Sequence, residues 1–334
     1  MRKFIFGLII VATVLYGGVT KVGTTAASFL TIPVGPRALG MGGAFVSVAD
    51  DATAMFWNVA GIGRLKKNEI VLVHTNWLLD TYFEYAGVVI PVPNYGTLGV
   101  NFTHMNLGEM EQTTEQDPDG NGLKFSCGSF AIGLSYARAL TDRFSIGFNA
   151  KYIQESIMNC GATGFAIDVG TLFRTQFKDA RLGMSISNFG TKMQMMGNDL
   201  LVQHDIDPGL AGNNPYVNAF LATGRFDLPL ILRVGMSIDL INTPQNRLTL
   251  SCDALHPNDN TESVNIGTEY VFNNLLSLRA GYKAMYKVDS EEGFTLGAGL
   301  FANIGKVVRL KVDYAYELFG RLNDVQKLAV AMQF

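Results

Sequence analysis

The sequence predicts an all-β chain, a transmembrane antiparallel β-barrel of about 14 strands. Three observations carry this expectation. From about residue 68 onward, apolar and polar residues alternate with a period of two. The alternating runs are about 9–12 residues long, the length a tilted strand needs to cross a bilayer, against about 5–6 in ordinary globular strands. The connections also alternate between brief and long, as they do between the two mouths of a membrane barrel.

The elements follow in chain order. Arg2 and Lys3 precede an apolar run from Phe4 to Tyr16, and small residues follow. That is the pattern of a secretory signal peptide, assigned to residues 1–27, with cleavage near Gly18 or near Ala26–Ala27. The run is shorter than the ~20 residues of a membrane-spanning helix. Residues 28–67 hold many small side chains and form a separate segment ahead of the barrel, which takes residues 68–334.

Strands are expected near residues 69–77, 82–91, 95–105, 124–139, 143–156, 163–174, 181–189, 230–240, 247–256, 263–272, 276–285, 293–302, 307–317 and 326–334. In the last of them Leu328, Val330, Met332 and Phe334 share one face, and Lys327, Ala329, Ala331 and Gln333 share the other. The less apolar face is generally rich in Gly, Ser, Asn and single charges, which suits a crowded polar lumen. If the first strand runs outward, the periplasmic turns are brief (91–94, 139–142, 176–180, 242–246, 273–275 and 303–306). The two longest connections, 106–123 and 190–229, both fall outside the cell. Phe334 ends the last strand on an aromatic, which resembles the insertion signal read by the barrel assembly machinery.

Composition agrees. Hydrophobic residues are 48% and charged ones 16%, below the usual ~25% charged. The net charge of −3 gives no basic excess, so nucleic acid is excluded as a partner. Three cysteines, Cys127, Cys160 and Cys252, form neither a disulfide framework nor a zinc pattern.

Several motifs offer chemistry and lose it on inspection. Gly40, Gly42 and Gly43 suggest a dinucleotide turn, but the third glycine would be residue 45, which is Phe45, and no βαβ frame follows. Asp117, Asp119 and Asn121 match the first half of a calcium loop, yet its twelfth position is Gly128 rather than Glu. A hydrophilic turn is the commoner use of such residues. Asp253, His256, Pro257 and Asp259 surround an expected outward loop, with too few ligands for a metal. No nucleophile–base arrangement is recognisable, so neither catalysis nor a cofactor is expected. The connection 190–229 carries Met193, Met195 and Met196, adaptable apolar side chains suited to a protein partner, an acyl chain or the lipid rim.

Two patches resemble a known family. The first is Pro36–Ala54 with its PRALGMGGAFVSVADDATA, followed by Trp57, Asn58, Val59, Ala60 and Gly61. The second is Asp253–Asn260, with Gly267–Tyr270, Leu278–Tyr282, Gly297–Gly299 and Asp313–Tyr316. Together they resemble the PorV/PorQ family, itself similar to FadL-type outer-membrane transporters.

The resemblance implies a barrel with an N-terminal luminal hatch containing Gly40, Gly42, Gly43, Asp50, Asp51, Trp57, Asn58 and Ala60. Relatives carry Asn-Pro-Ala where this chain has Asn58-Val59-Ala60. The implied function is type IX-like protein secretion or surface attachment by binding exported cargo at a secretion translocon. The alternative is a FadL-like channel for hydrophobic small molecules such as long-chain fatty acids or hydrocarbons. Both place the chain in the outer membrane, with lipid as its surroundings. A hatch is also expected physically. A barrel of about fourteen strands is too wide for its own side chains to fill, since about eight is the limit. Asp50 and Asp51 are expected to meet an inward cation such as Arg233 or Lys151.

Overall fold

The computed structural model describes residues 22–334 except 211, 213, 215, 288, 289, 306 and 323. Most of the expected signal peptide, residues 1–21, lies outside the described residues. Fourteen long strands form the barrel: β1 (Glu69–Asn76), β2 (Tyr82–Val92), β3 (Gly96–Glu111), β4 (Lys124–Ala139), β5 (Phe144–Ile157), β6 (Cys160–Arg174), β7 (Arg181–Gly190), β8 (Ile231–Asn242), β9 (Asn246–Pro257), β10 (Ser263–Phe272), β11 (Leu276–Met285), β12 (Phe294–Ile304), β13 (Val308–Glu317) and β14 (Val325–Gln333). Each strand pairs antiparallel with its sequence neighbours. The ring closes where β14 meets β1, in register from Glu69↔Gln333 to Asn76↔Gln326. Phe334 and Asn68 extend that seam by exchanging two backbone hydrogen bonds of 3.1 Å.

The two faces are inverted relative to a soluble sheet. Leu72, Leu134, Phe165, Leu296 and Leu328 point outward and are exposed, while Asn101, Asn149, Asp168, Arg233, Glu269 and Arg279 point inward and are buried. Such an arrangement is stable only when the outer solvent is hydrocarbon. The chain therefore crosses the outer membrane with strands.

Two boundaries differ from expectation. β3 runs on to Glu111 because a bulge, not a loop, follows Asn106. Pairing with β4 shifts between Asn106 and Glu109, and Gly108 turns with φ 78°, its N–H donated to Asn106 Oδ1 at 2.8 Å. The bulge breaks the alternation and so hides the strand's end from a period-two reading. β6 begins at Cys160 because the β5–β6 turn needs only Met158, with φ 51°, and Asn159.

The two longest connections, 112–123 and 191–230, lie at one mouth, and the brief turns from even- to odd-numbered strands at the other, the periplasmic one; the two-residue β5–β6 turn shares the mouth of the long connections. In the 191–230 connection, Leu201–His204 and Val217–Phe220 form a hairpin. Met196–Gly197 pairs with Cys160 and Gly161, continuing the wall above the short β7.

Candidate functional site

The residues preceding β1 run along the inner wall. Every residue from Ala38 to Ala49 is buried, and their partners are inward-facing groups on strands around the ring. The Val46 N–H donates to Asp253 Oδ2 at 2.8 Å and the Gly42 N–H to Thr295 Oγ1 at 3.0 Å; ahead of this run, Thr25 Oγ1 donates to Asp259, in the β9–β10 connection, at 3.0 Å. The Ser251 hydroxyl donates to the Ala44 carbonyl at 2.7 Å.

Close approach is possible because the wall lacks side chains where the segment touches it. A Cβ at Gly147 would lie 2.6 Å from the Val59 carbonyl carbon, one at Gly183 2.8 Å from Ser47 Cα and one at Gly267 2.8 Å from the Met41 carbonyl carbon. The segment gives way in turn at Gly42. Its φ is 64°, and a Cβ there would sit 2.8 Å from Tyr282 N and 2.9 Å from Ile266 O. Only glycine satisfies both the backbone and the space.

Arg37, second residue of the short helix α1 (Pro36–Gly40), is the electrostatic hub. It grips Glu269 with two bonds, Nε to Oε1 at 2.8 Å and Nη2 to Oε2 at 2.9 Å. Nη1 reaches Asp51 at 2.9 Å and also Asp50. Asp50 and Asp51 thus meet Arg37, from their own segment, and not Arg233 or Lys151 as expected. Lys151 is taken by Asp168 at 2.8 Å. Arg233 donates to Ser187 at 3.0 Å and stacks over Trp57, 5.5 Å from its centroid. Burial alone would lower the Arg37 pKa, but its three carboxylates override that and hold it well above the usual value. Burial alone would raise Asp50, and Arg37 overrides it, so the carboxyl titrates below its usual range.

Behind the hub, Glu269 also accepts from Arg279 Nε at 2.8 Å, and Arg279 passes the network to Asp313 at 2.6 Å. Glu69, at the start of β1, is held by Lys311 at 3.3 Å.

Trp57 and Asn58 lock the second half of the segment. Trp57 Nε1 donates to the Val34 carbonyl at 2.8 Å, and the ring meets Phe45 and Phe56 edge-on. Asn58 Nδ2 donates to Val46 O at 2.9 Å and to Thr171 O of β6 at 3.0 Å, and Oδ1 accepts the Ala60 N–H at 3.2 Å. Asn58 therefore caps the short helix Val59–Arg64. Its backbone is extended, φ −159° and ψ 99°, the conformation a residue before proline prefers. Val59 occupies the first helical position, which accepts proline. This backbone would accept a proline at position 59.

The second patch divides. Asp253 is not in an outward loop: it lies within β9, fully buried and bonded to the segment, because its position falls on the inward face of the strand. Pro257 ends β9. His256 is largely exposed, 3.0 Å from Glu262. Asp117, Asp119 and Asn121 are not drawn together as a calcium loop. The Gly120 N–H closes a turn on Asp117 O at 3.1 Å, Asn121 Oδ1 accepts the Leu123 N–H at 2.9 Å, and among the described residues no group of His, Cys, Asp or Glu is placed to hold a metal.

Sequence reasoning missed Arg37, Glu269 and Arg279. The signal was present: Glu269, Arg279 and Asp313 are lone charges on inward faces of β10, β11 and β13, each inside a family-like patch.

The model of the type IX secretion system protein PorV matches residues 18–201, which include the N-terminal segment and β1–β7. The chain belongs to the PorV family. No curated protein matches the sequence. Among solved structures, a Pseudomonas aeruginosa FadL homologue is 13% identical, with 91% of this chain and 98% of that one covered and a TM-score of 0.50. The Pseudomonas putida toluene transporter TodX is 12% identical over 89% and 96%, with a TM-score of 0.55. The CymD monoaromatic hydrocarbon channel is 11% identical over 90% and 97%, with a TM-score of 0.54. At such identities they establish a shared FadL-type fold. This PorV-family chain is an outer-membrane barrel of a transport class.

Proposed function

We propose that this barrel serves type IX protein secretion by binding exported proteins at a translocon in the outer membrane. Residues 28–67 act as a hatch that keeps the lumen shut. The observation that carries this reading is the occupied lumen, with an unbroken buried run from Ala38 to Ala49 held by bonds to the wall. A closed barrel suits a docking platform better than a pore.

Gly40, Gly42 and Gly43 fit the hatch against the wall. Asp50 and Asp51 fold it around Arg37, and Trp57, Asn58 and Ala60 fix its lower half. Asp253 receives its Val46 N–H, and Asp259 the hydroxyl of Thr25, just ahead of it. Phe334 serves the insertion signal read by the assembly machinery. The acidic pair is engaged by Arg37 and Thr53, so we assign the chain no catalysis.

The second reading, a channel for hydrophobic small molecules, draws on the shared fold alone, and fold does not carry function. Apolar ligands want largely apolar pockets of about 300–1,000 Å3. Two cavities beside the segment, about 180 and 300 Å3, are lined by charged groups, Arg37, Glu269 and Lys311 in one and Arg64 and Arg174 in the other, so their lining does not suit an apolar ligand.

Deleting the gene separates the readings. Loss of exported proteins from the cell surface, with unchanged growth on long-chain fatty acids or aromatic hydrocarbons, is expected. Normal surface proteins with impaired uptake would reverse the assignment.

A further inference from the structure

The two mouths carry opposite charge. At the loop end, the β3–β4 hairpin alone holds Glu109, Glu111, Glu115, Asp117 and Asp119 against Lys124. At the short-turn end, Arg64, Lys66, Lys67, Arg143, Arg174 and Lys178 face only Asp142 and Asp179 in the neighbouring turns. Part of that basic end is concave. A cavity of about 300 Å3 opens there, lined by Ser47–Asp50 of the N-terminal segment and by Arg64, Lys66, Leu172, Arg174 and Arg181.

Arg64, Lys66 and Arg174 lack the carboxylate partner that many other lumenal cations have, as does Arg233, which donates to Ser187. Lys151, Arg279, Lys283 and Lys311 each have a carboxylate within 3.3 Å. Arg64 has only a hydroxyl, Ser145 Oγ at 3.3 Å, and a carbonyl, Asp142 O at 3.2 Å. Its Nη2 is buried without a partner. Among the described residues, the side chains of Lys66 and Arg174 have no hydrogen bond or ion pair. Arg181 is held by Asp239 at 2.6 Å, and Asp50, the one carboxylate in the lining, is engaged by Arg37. Burial and the neighbouring Arg174 charge both depress the Arg64 pKa. Gathering like charges without a counter-charge is unfavourable, and an anion relieves it.

We infer that this cavity is a binding site for acidic side chains of a periplasmic polypeptide, with Arg64, Lys66 and Arg174 as its anchors. The site faces the periplasm and not the bilayer. Leu172 lines it from the inward face of β6, whereas Phe173 beside it is exposed on the lipid side. Lys67, Arg143 and Lys178 continue the positive charge along the turns. That favours several acids on one chain over a single small ion.

The test uses the full-length protein in nanodiscs of neutral phosphatidylcholine, titrated with a fluorescent hexaglutamate peptide, a hexalysine peptide and inorganic phosphate. Hexaglutamate is expected to bind with an affinity that falls as salt rises, whereas hexalysine, which suits the acidic loop mouth, is expected to bind R174Q and R64Q as it binds the parent. R174Q alters an exposed side chain without a bonding partner, so folding is not at risk. It and R64Q should each weaken hexaglutamate about fivefold, and K124Q at the opposite mouth should change nothing. The inference is overturned if R174Q and R64Q bind hexaglutamate as the parent does. It is also overturned if phosphate displaces the peptide at equal charge concentration, or if binding needs anionic lipid in the disc.

Discussion

Replacing Arg37 with methionine isolates the latch between the N-terminal segment and the wall. The side chain keeps its apolar stem but loses the bidentate grip on Glu269, at 2.8 and 2.9 Å, and the bond to Asp51 at 2.9 Å. Breaking a buried ion pair by removing one partner costs about 3–5 kcal/mol. Glu269, only 1% exposed, keeps Arg279 at 2.8 Å, and Asp51 keeps the Thr53 N–H at 2.9 Å. The low end, about 3 kcal/mol, is therefore expected. If that coupling holds the segment in place, its local opening becomes about a hundredfold more frequent, since each 1.4 kcal/mol is tenfold. Amide hydrogen exchange in detergent or nanodiscs reads this directly. Peptides covering residues 35–60 should lose about two decades of protection, while those of β5 and β9 keep theirs. Unchanged protection in residues 35–60 of a folded R37M barrel would refute the latch. Equal loss in the strands would show that Arg37 supports the whole barrel instead.

Three further outcomes are expected. G267V places a side chain where the Met41 carbonyl lies, so overpacking should cost about 1–3 kcal/mol and open the segment to trypsin at Arg37; resistance equal to the parent's would contradict close packing there. V59P should leave the melting temperature within about 2 °C, because Asn58 is already extended and Val59 begins a helix; a large drop would mean that the Val59 N–H has a structural partner. Asp50 should help to hold the segment except at low pH: it has a depressed pKa, so its contribution is complete above the unfolded value of about 4 and fades as pH falls through the lower folded value. Any difference in the exchange of residues 35–60 between pH 5 and pH 8, after correction for intrinsic rates, should thus be the same in D50N as in the parent, and a difference that D50N abolishes would refute that role for Asp50.

The barrel was legible in the sequence because its signal is periodic. A strand such as β14 repeats the same inward–outward choice at every residue, so Lys327, Ala329 and Ala331 and their apolar neighbours announce both faces at once. Where the period breaks, legibility ends. The bulge at Gly108 made the rest of β3 read as loop, and the hairpin above β7 was too short to show a period. The site was less readable, for a different reason. Asp50 and Asp51 were expected to reach across to the wall, but the nearest cation lay thirteen residues back in their own segment, at Arg37. Sequence pattern says which face a charge occupies, not which of several inward charges it will meet.

The inward glycines carry that argument a step further. On a strand, glycine ordinarily weakens pairing and packs nothing. Gly147, Gly183 and Gly267 fall on inward faces, and each lies where a backbone atom of the N-terminal segment comes within 3 Å of an added Cβ. Strand stability alone gives no reason for those positions, and a lumen open to water would not need them. They are explained if wall and segment fold as one surface, the wall giving up its side chains wherever the segment's backbone must lie. The same complementarity accounts for Gly42, which answers from the segment's side against Ile266 and Tyr282. The glycine run that first suggests a nucleotide turn is thus one half of a fit whose other half is distributed over strands β5, β7, β10 and β11.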